Sequence, residues 1–217
     1  MYTPVAFEMG TRPDITEAIR RAGFGHLVSH HLDADDGPRL TATALPFVVD
    51  DELSLARAHF AKANPHWRDI DGRQALLIVP IVDAYVSPRW YPSKAEHGQV
   101  VPTSNYELIH LHGVVEIHHD AHWKRKVVED LTRENEGRVD DPELVEPWAV
   151  SDAPASFIDG QLKAIVGIEL HVERVEAKQK LSQNRPEQDR LGVIDGLARS
   201  QNHGAIETSN RMREKGR

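Results

Sequence analysis

Between Asn105 and His119 polar and apolar side chains alternate clearly, with Glu107, Leu108 and Val114 off the pattern. Ile109, Leu111, Val115 and Ile117 fall on one face, and Tyr106, His110, His112, Glu116 and His118 on the other. A period of two is the mark of a strand with one face buried. The same alternation returns in Val166, Ile168, Leu170 and Val172, within a late strand that runs from Val166 to Leu181. Leu40 to Val49 is a third strand, with Thr41, Thr43, Leu45, Phe47 and Val49 on one face. Pro46 inside it has no N–H to give a neighbour and marks an edge or a bulge. Gln74 to Val82 carries the continuous apolar run of a buried strand, and Ala84 to Ser87 continues it or pairs with it. Phe24 to Leu32 and Leu53 to Ala58 complete the set, with turns at Asp33 to Pro38 and Asp50-Asp51.

Helical patterns are fewer. Asp14 to Ala22 reads as a short helix with Asp14 as its cap, Glu17 three residues on and Gly23 as its stop. Ala121 to Asn135 is amphipathic, with Asp120 as cap and Trp123, Val127, Val128 and Leu131 as its apolar stripe. An acidic loop follows from Gly137 to Pro147, then a helix near Phe157 to Ala164 and a closing helix from Gln188 to Ala198. Beyond Ser200 the chain reads as a frayed tail. Strands joined by short hairpins, few helices and one late return strand predict a mainly β fold, an antiparallel β-barrel with added helices. The expected organisation is one domain over residues 1–199, with a helical insertion around 120–164 and a flexible tail over 200–217. No glycine fingerprint follows a strand, which argues against a doubly wound dinucleotide fold.

The chemistry is bounded by what the chain lacks. It has no cysteine, which removes disulfides, thiolate nucleophiles and cysteine metal sites. Its formal net charge of −8 disfavours broad attraction to nucleic acid or an anionic membrane. The opening residues have neither the basic region nor the apolar region of a signal peptide, and no apolar run reaches membrane-spanning length, so a cytoplasmic protein is expected. Thirteen histidines are present, yet no HExxH motif appears and no carboxylate is spaced for a closed site, so no metal is expected. There is no Gly-x-Ser-x-Gly elbow.

Two stretches concentrate hydrogen-bond donors without apolar bulk. Lys178-Gln-Lys-Leu-Ser-Gln-Asn-Arg185 closes the last strand and offers Lys180, Ser182, Gln183, Asn184 and Arg185. His59-Phe-Ala-Lys-Ala-Asn-Pro65 offers His59, Lys62 and Asn64. Such donors suit an anion with a planar polar edge; they also suit a solvated strand end. Asn64-Pro65 reads equally as a helix cap with proline in the first turn. Thr41 and Thr43 share a strand face, where they serve β propensity or present hydroxyls to a ligand.

Five motifs occur in order: Thr43-Ala-Leu-Pro-Phe47, Ala61-Lys-Ala-Asn-Pro-His-Trp67, Ala84-Tyr-Val-Ser-Pro-Arg-Trp-Tyr91, Val101-Pro-Thr-Ser-Asn-Tyr106 and Lys180-Leu-Ser-Gln-Asn-Arg185. Together they resemble the PaiB family of FMN-binding transcriptional regulators, over nearly the whole chain to about Arg199. The resemblance implies an FMN-binding split β-barrel of the pyridoxamine-phosphate-oxidase type, a homodimer, and FMN in the cleft between subunits. It puts Lys62 and Asn64 at the place where the phosphate is held, and Lys180-Leu181-Ser182 at the basic motif near the flavin. Ala44 and Ser104 depart from the family pattern, each standing where a large ring is frequent. A regulatory output follows from the resemblance alone: the sequence shows no helix-turn-helix, and Arg211, Arg213, Lys215 and Arg217 are too sparse to argue for direct DNA contact. Haem handling is the alternative, since related split barrels bind haem and histidines abound; a flavin reductase or oxidase without a regulatory role is another.

Overall fold

The computed structural model describes residues 1–30, 40–141, 143 and 146–215. The expected turn at Asp33 to Pro38, the strand end at His31-Leu32, Pro142, Leu144 and Val145 of the acidic loop, and Arg217 of the tail lie outside the described residues. Six strands form: β1 (Phe24–His30), β2 (Leu40–Val49), β3 (Leu55–Ala61), β4 (Gln74–Val86), β5 (Thr103–His118) and β6 (Ile165–Lys180). Among the described residues their order is β1-β2-β3-β6-β5-β4 in a closed barrel. β1 pairs antiparallel with β2 and β4, and β3 antiparallel with β2 and β6. The β-barrel expectation holds, and Ala84 to Val86 continues β4 rather than pairing with it.

Pro46 sits where β2 changes neighbour. Residues 40–46 pair with β1 and residues 47–49 with β3, so the missing N–H falls at the handover. The Asp50-Asp51 turn is closed by the Asp50 carboxylate, which accepts from the backbone N–H of Ser54 and Leu55 at 2.7 and 2.9 Å. Leu53 takes a positive φ of 50° there.

The chain divides into two compact units. The first comprises residues 12–79 and 110–175, the second residues 1–11, 80–109 and 176–217. In the first, alternate residues of each strand fill the barrel, among them Leu27, Phe47, Phe60, Leu77, Leu111 and Val166. Helix α1 (Arg12–Ala22) starts two residues earlier than its cap motif implied, because Pro13 is tolerated in a first turn; Asp14 then lies in that turn, where a carboxylate suits the helix N-terminus. Gly23 ends the helix at φ 58°, its N–H bonded to the Ile19 carbonyl at 2.9 Å. Helix α3 (Ala121–Glu136) is capped by Asp120 and lays Val127, Leu131 and Trp123 on Val48. Helix α4 (Ala155–Lys163) contributes Ile158 and Leu162 to a small core with Val150. A short α2 (Ser93–His97) belongs to the second unit.

The second unit is built around α5 (Glu187–Ala198) and a helix the sequence did not announce, α6 (His203–Glu214). The stretch expected to be frayed is therefore ordered and packed. Met212 is fully buried, with Leu197, Val193 and Tyr91 in the same core. The physical reason lies in polar burial. Asn202 caps α6 by accepting from Ala205 N–H at 3.1 Å, Ser209 donates to the Ile194 carbonyl at 2.9 Å, and Thr208 to the Gly204 carbonyl at 2.7 Å. Among the described residues no helix is long and apolar enough to cross a membrane.

Candidate functional site

The residues nominated by the sequence fall into the two units. Thr41, Thr43, His59, Lys62 and Asn64 belong to the first, and Lys180, Ser182, Gln183, Asn184 and Arg185 to the second.

In the first unit the end of β3 turns into a short 3-10 helix, Pro65–Asp69. Asn64 is its cap, accepting from His66 N–H at 3.0 Å, with Pro65 in the first turn. The same side chain donates to Thr43 Oγ1 at 3.2 Å. His66 is the residue that sequence reasoning missed. Its ring is buried, stacked on Phe60 with centroids 5.3 Å apart, and bonded to Ser29 Oγ and Thr43 Oγ1 at 2.7 Å each. Thr43, Asn64 and His66 are thus one network that ties β1, β2 and the corner after β3 together. Its bonds are satisfied when Thr43 donates to Nδ1 and Nε2–H donates to Ser29. The cap holds only the His66 backbone N–H; the partners that bury its ring, Ser29 and Thr43, are distant in sequence and leave no local signal.

Lys62 stands one residue past β3 at that corner. Its backbone is held by N–H to the Ala164 carbonyl at 2.8 Å and by its own carbonyl accepting from Trp67 Nε1 at 3.1 Å. Its side chain is exposed. Nearby Lys124 has its pKa lowered, first by burial and then by the positive charge of Lys62, while its ammonium donates to the Leu162 carbonyl at 2.7 Å. Two cations therefore share this corner, one fixed in the protein and one presented outward. Thr41 is half-buried on β2 in register with Ser29.

His59 points elsewhere. It lines a cavity of about 280 Å³ with Pro46, Val128, Leu131, Asn135 and Trp148. Burial lowers its pKa, which favours the neutral ring, and its buried Nδ1 has no hydrogen-bond partner.

In the second unit most of the nominated donors are already engaged. Lys180 donates to Thr103 Oγ1 and to the Ser104 carbonyl, both within 2.6 Å, and burial lowers its pKa. Ser182, at φ 65°, exchanges bonds with Asn105 at 3.0 and 3.1 Å. Gln183 accepts from Leu181 N–H and donates to the Gln179 carbonyl, at 2.6 Å each. Arg185 lies over the Tyr91 ring at 5.0 Å, and Asn184 is exposed. Beneath this turn lies a buried ionic group. Glu107 accepts from Arg211 Nε at 2.9 Å and from Gln179, and Arg211 Nη1 reaches Glu214 at 3.0 Å. Burial alone pulls the Arg211 pKa down; Glu107 outweighs it, and the net direction is upward.

Closed antiparallel order, a flanking α3 and a cationic corner after β3 define a split β-barrel of the flavin-binding kind. The chain belongs to the family described as "Putative FMN-binding domain", which matches residues 1–174, and FMN is the cofactor that membership assigns. It is 30% identical over 219 residues to the protease synthase and sporulation protein PAI 2 of Bacillus subtilis, covering 99% of this chain and 98% of that one. Among solved structures it is similar to the FAD and haem binding protein of Mycobacterium smegmatis, at TM-score 0.57 and 15% identity over 85% of this chain and 78% of that one. It is similar also to a flavocytochrome of Azotobacter vinelandii, at TM-score 0.50 and 16% identity over 81% of this chain and 71% of that one. The residues present fit FMN at the corner after β3: an outward ammonium reinforced by a second cation suits a phosphate ester.

Proposed function

We propose that this protein is an FMN-binding homodimer of the PaiB type, with the flavin phosphate anchored by Lys62. The observation that carries this reading is the division of labour at the β3 corner. Asn64, Thr43 and His66 spend their polar atoms on one another and hold the turn, while the Lys62 side chain stays exposed. Thr41, on the adjoining strand, adds a hydroxyl at the flavin edge, and Thr43 and Asn64 act as positioning residues. FMN, when bound, supplies redox chemistry at its ring system.

An outer face of the barrel supports the dimer. Phe24, Val28, Leu40, Ala42, Ala44 and Pro46 lie side by side across β1 and β2, with His26 and His30 among them, and Phe24 is 48% and Leu40 66% exposed. An exposed sheet face that is largely apolar, with two imidazoles in it, suits a second copy of the chain. The regulatory output is negative control of transcription, with flavin redox state as its input, exerted through a partner. Two features favour a partner over DNA: the charge of −8, and Arg211 of the basic tail being committed to Glu107. A gel shift at moderate salt gives no specific retardation on this account.

Titration of flavin-free protein with FMN tests the reading. Saturable binding at micromolar concentration, weakened in Lys62→Met, is expected; no binding to the wild type at that concentration overturns it. A second reading rests on His59, whose pKa burial lowers and whose unpartnered Nδ1 borders a cavity lined in part by Pro46, Val128, Leu131 and Trp148, which suits haem ligation. A Soret band on haem addition that disappears in His59→Ala would favour it.

A further inference from the structure

On the face of β5 and β6 turned away from the barrel interior, four side chains meet that the flavin reading does not use. Glu116 and His118 are two apart on β5, and Glu169 and His171 two apart on β6, so each pair shares one face of neighbouring strands. The strands approach closely beside them: a Cβ on Gly113 would lie 2.0 Å from the His171 carbonyl oxygen. Ligand atoms of Glu116, His118 and Glu169 all fall within 4.8 Å of one another. His118 Nε2 is 3.7 Å from Glu116 Oε1 and 3.8 Å from Glu169 Oε1. His171 Nε2 is 3.0 Å from Glu116 Oε2 and 3.4 Å from Glu169 Oε1.

The spacings of 3.4–3.8 Å are close to those of ligands around one ion, and the 3.0 Å contact is a hydrogen bond that an ion would replace. Zinc bonds of about 2.0–2.2 Å in a tetrahedral shell place neighbouring ligand atoms roughly 3.3–3.5 Å apart. The key ring is already set. His118 stacks on Trp123 with centroids 4.0 Å apart and planes 11° from parallel. Gly167 makes the room, since a Cβ there would lie 2.2 Å from the Trp123 ring. His118 Nε2 is nevertheless buried with no hydrogen-bond partner, facing the two carboxylates. Arg57 Nε, 3.9 Å from Glu169 Oε2, offsets part of the acidic charge from the side of the second oxygen.

We infer that Glu116, His118 and Glu169, with His171 beside them, form a divalent transition-metal site of the zinc type on the barrel wall. Imidazole nitrogen with carboxylate oxygen, and no thiolate in the chain, selects a borderline ion such as zinc over magnesium or calcium. The ion gives His118 Nε2 its missing partner and clamps β5 to β6.

Calorimetric titration of the chelator-treated full chain with Zn²⁺ tests this, with and without FMN. One ion per chain is expected in both cases, and binding weakens by about tenfold or more in Glu169→Gln and in His118→Ala. Glu116→Gln reads out the same ligand set without disturbing the Trp123 stack, and exposed His122→Ala leaves binding unchanged. Saturable uptake that is absent, or that falls less than tenfold in E169Q and E116Q alike, overturns the assignment.

Discussion

Replacing Arg211 with alanine should destabilise the protein by about 3–5 kcal/mol, the cost of leaving one member of a buried ion pair alone. The structure sets that range. The Arg211 side chain is 9% exposed and Glu107 is 0% exposed, with 2.9 Å between Nε and Oε2. In R211A the carboxylate keeps, among the described residues, the Gln179 amide as its side-chain donor. Urea unfolding is the assay. At a slope of about 2 kcal/mol/M the midpoint falls by about 1.5–2.5 M. The double variant Arg211→Met with Glu107→Leu recovers much of the loss, because it removes both charges and leaves none orphaned. A cost in R211A below about 1 kcal/mol, the value for a pair in solvent, would refute the reasoning, for it would put α6 out in water.

Other outcomes follow from the same geometry. Lys62→Met should weaken FMN by roughly ten- to a hundredfold, the worth of about 1.5–3 kcal/mol for a hydrogen bond to a charged group, and leave riboflavin binding unchanged; fluorescence titration with both ligands checks it. His66→Ala strips Ser29 and Thr43 of a shared partner and should cost at least about 1–3 kcal/mol by thermal or urea unfolding. His59 has its folded pKa lowered by burial, so the unfolded chain binds its proton first. Stability from this group is whole above the unfolded pKa of about 6.5 and is lost as pH falls below it toward the folded pKa. Unfolding midpoints measured from pH 7 to about 5 should therefore fall less in His59→Gln than in the wild type.

The strands were legible because their chemistry is local. Alternation from Asn105 to His119 became β5 at Thr103–His118, and the Leu40 to Val49 pattern became β2 with the same bounds. Pro46 was legible as an interruption, but only the change of neighbour from β1 to β3 says why it is tolerated. Helix α6 was not legible. Its buried face includes Thr208, Ser209 and Arg211, types that composition assigns to water, and their partners Ile194 and Glu107 are far off in sequence. The same distance hid the condition of the Lys180 to Arg185 turn. Its donors read as available to a ligand, yet Thr103, Ser104 and Asn105, over seventy residues upstream, accept from Lys180 and Ser182. At the β3 corner the cap is one of the two readings the Asn64-Pro65 pair offers, and the buried His66 beyond it is hidden because a histidine inside a polar stretch carries no periodic signal.

The flavin content of freshly purified protein, measured together with its mass in solution, tests the central claim most directly. The account predicts a yellow protein sedimenting as a dimer, with close to one FMN released per chain and most of that flavin lost in Lys62→Met. A colourless monomer that takes up no FMN when supplied in excess would contradict it.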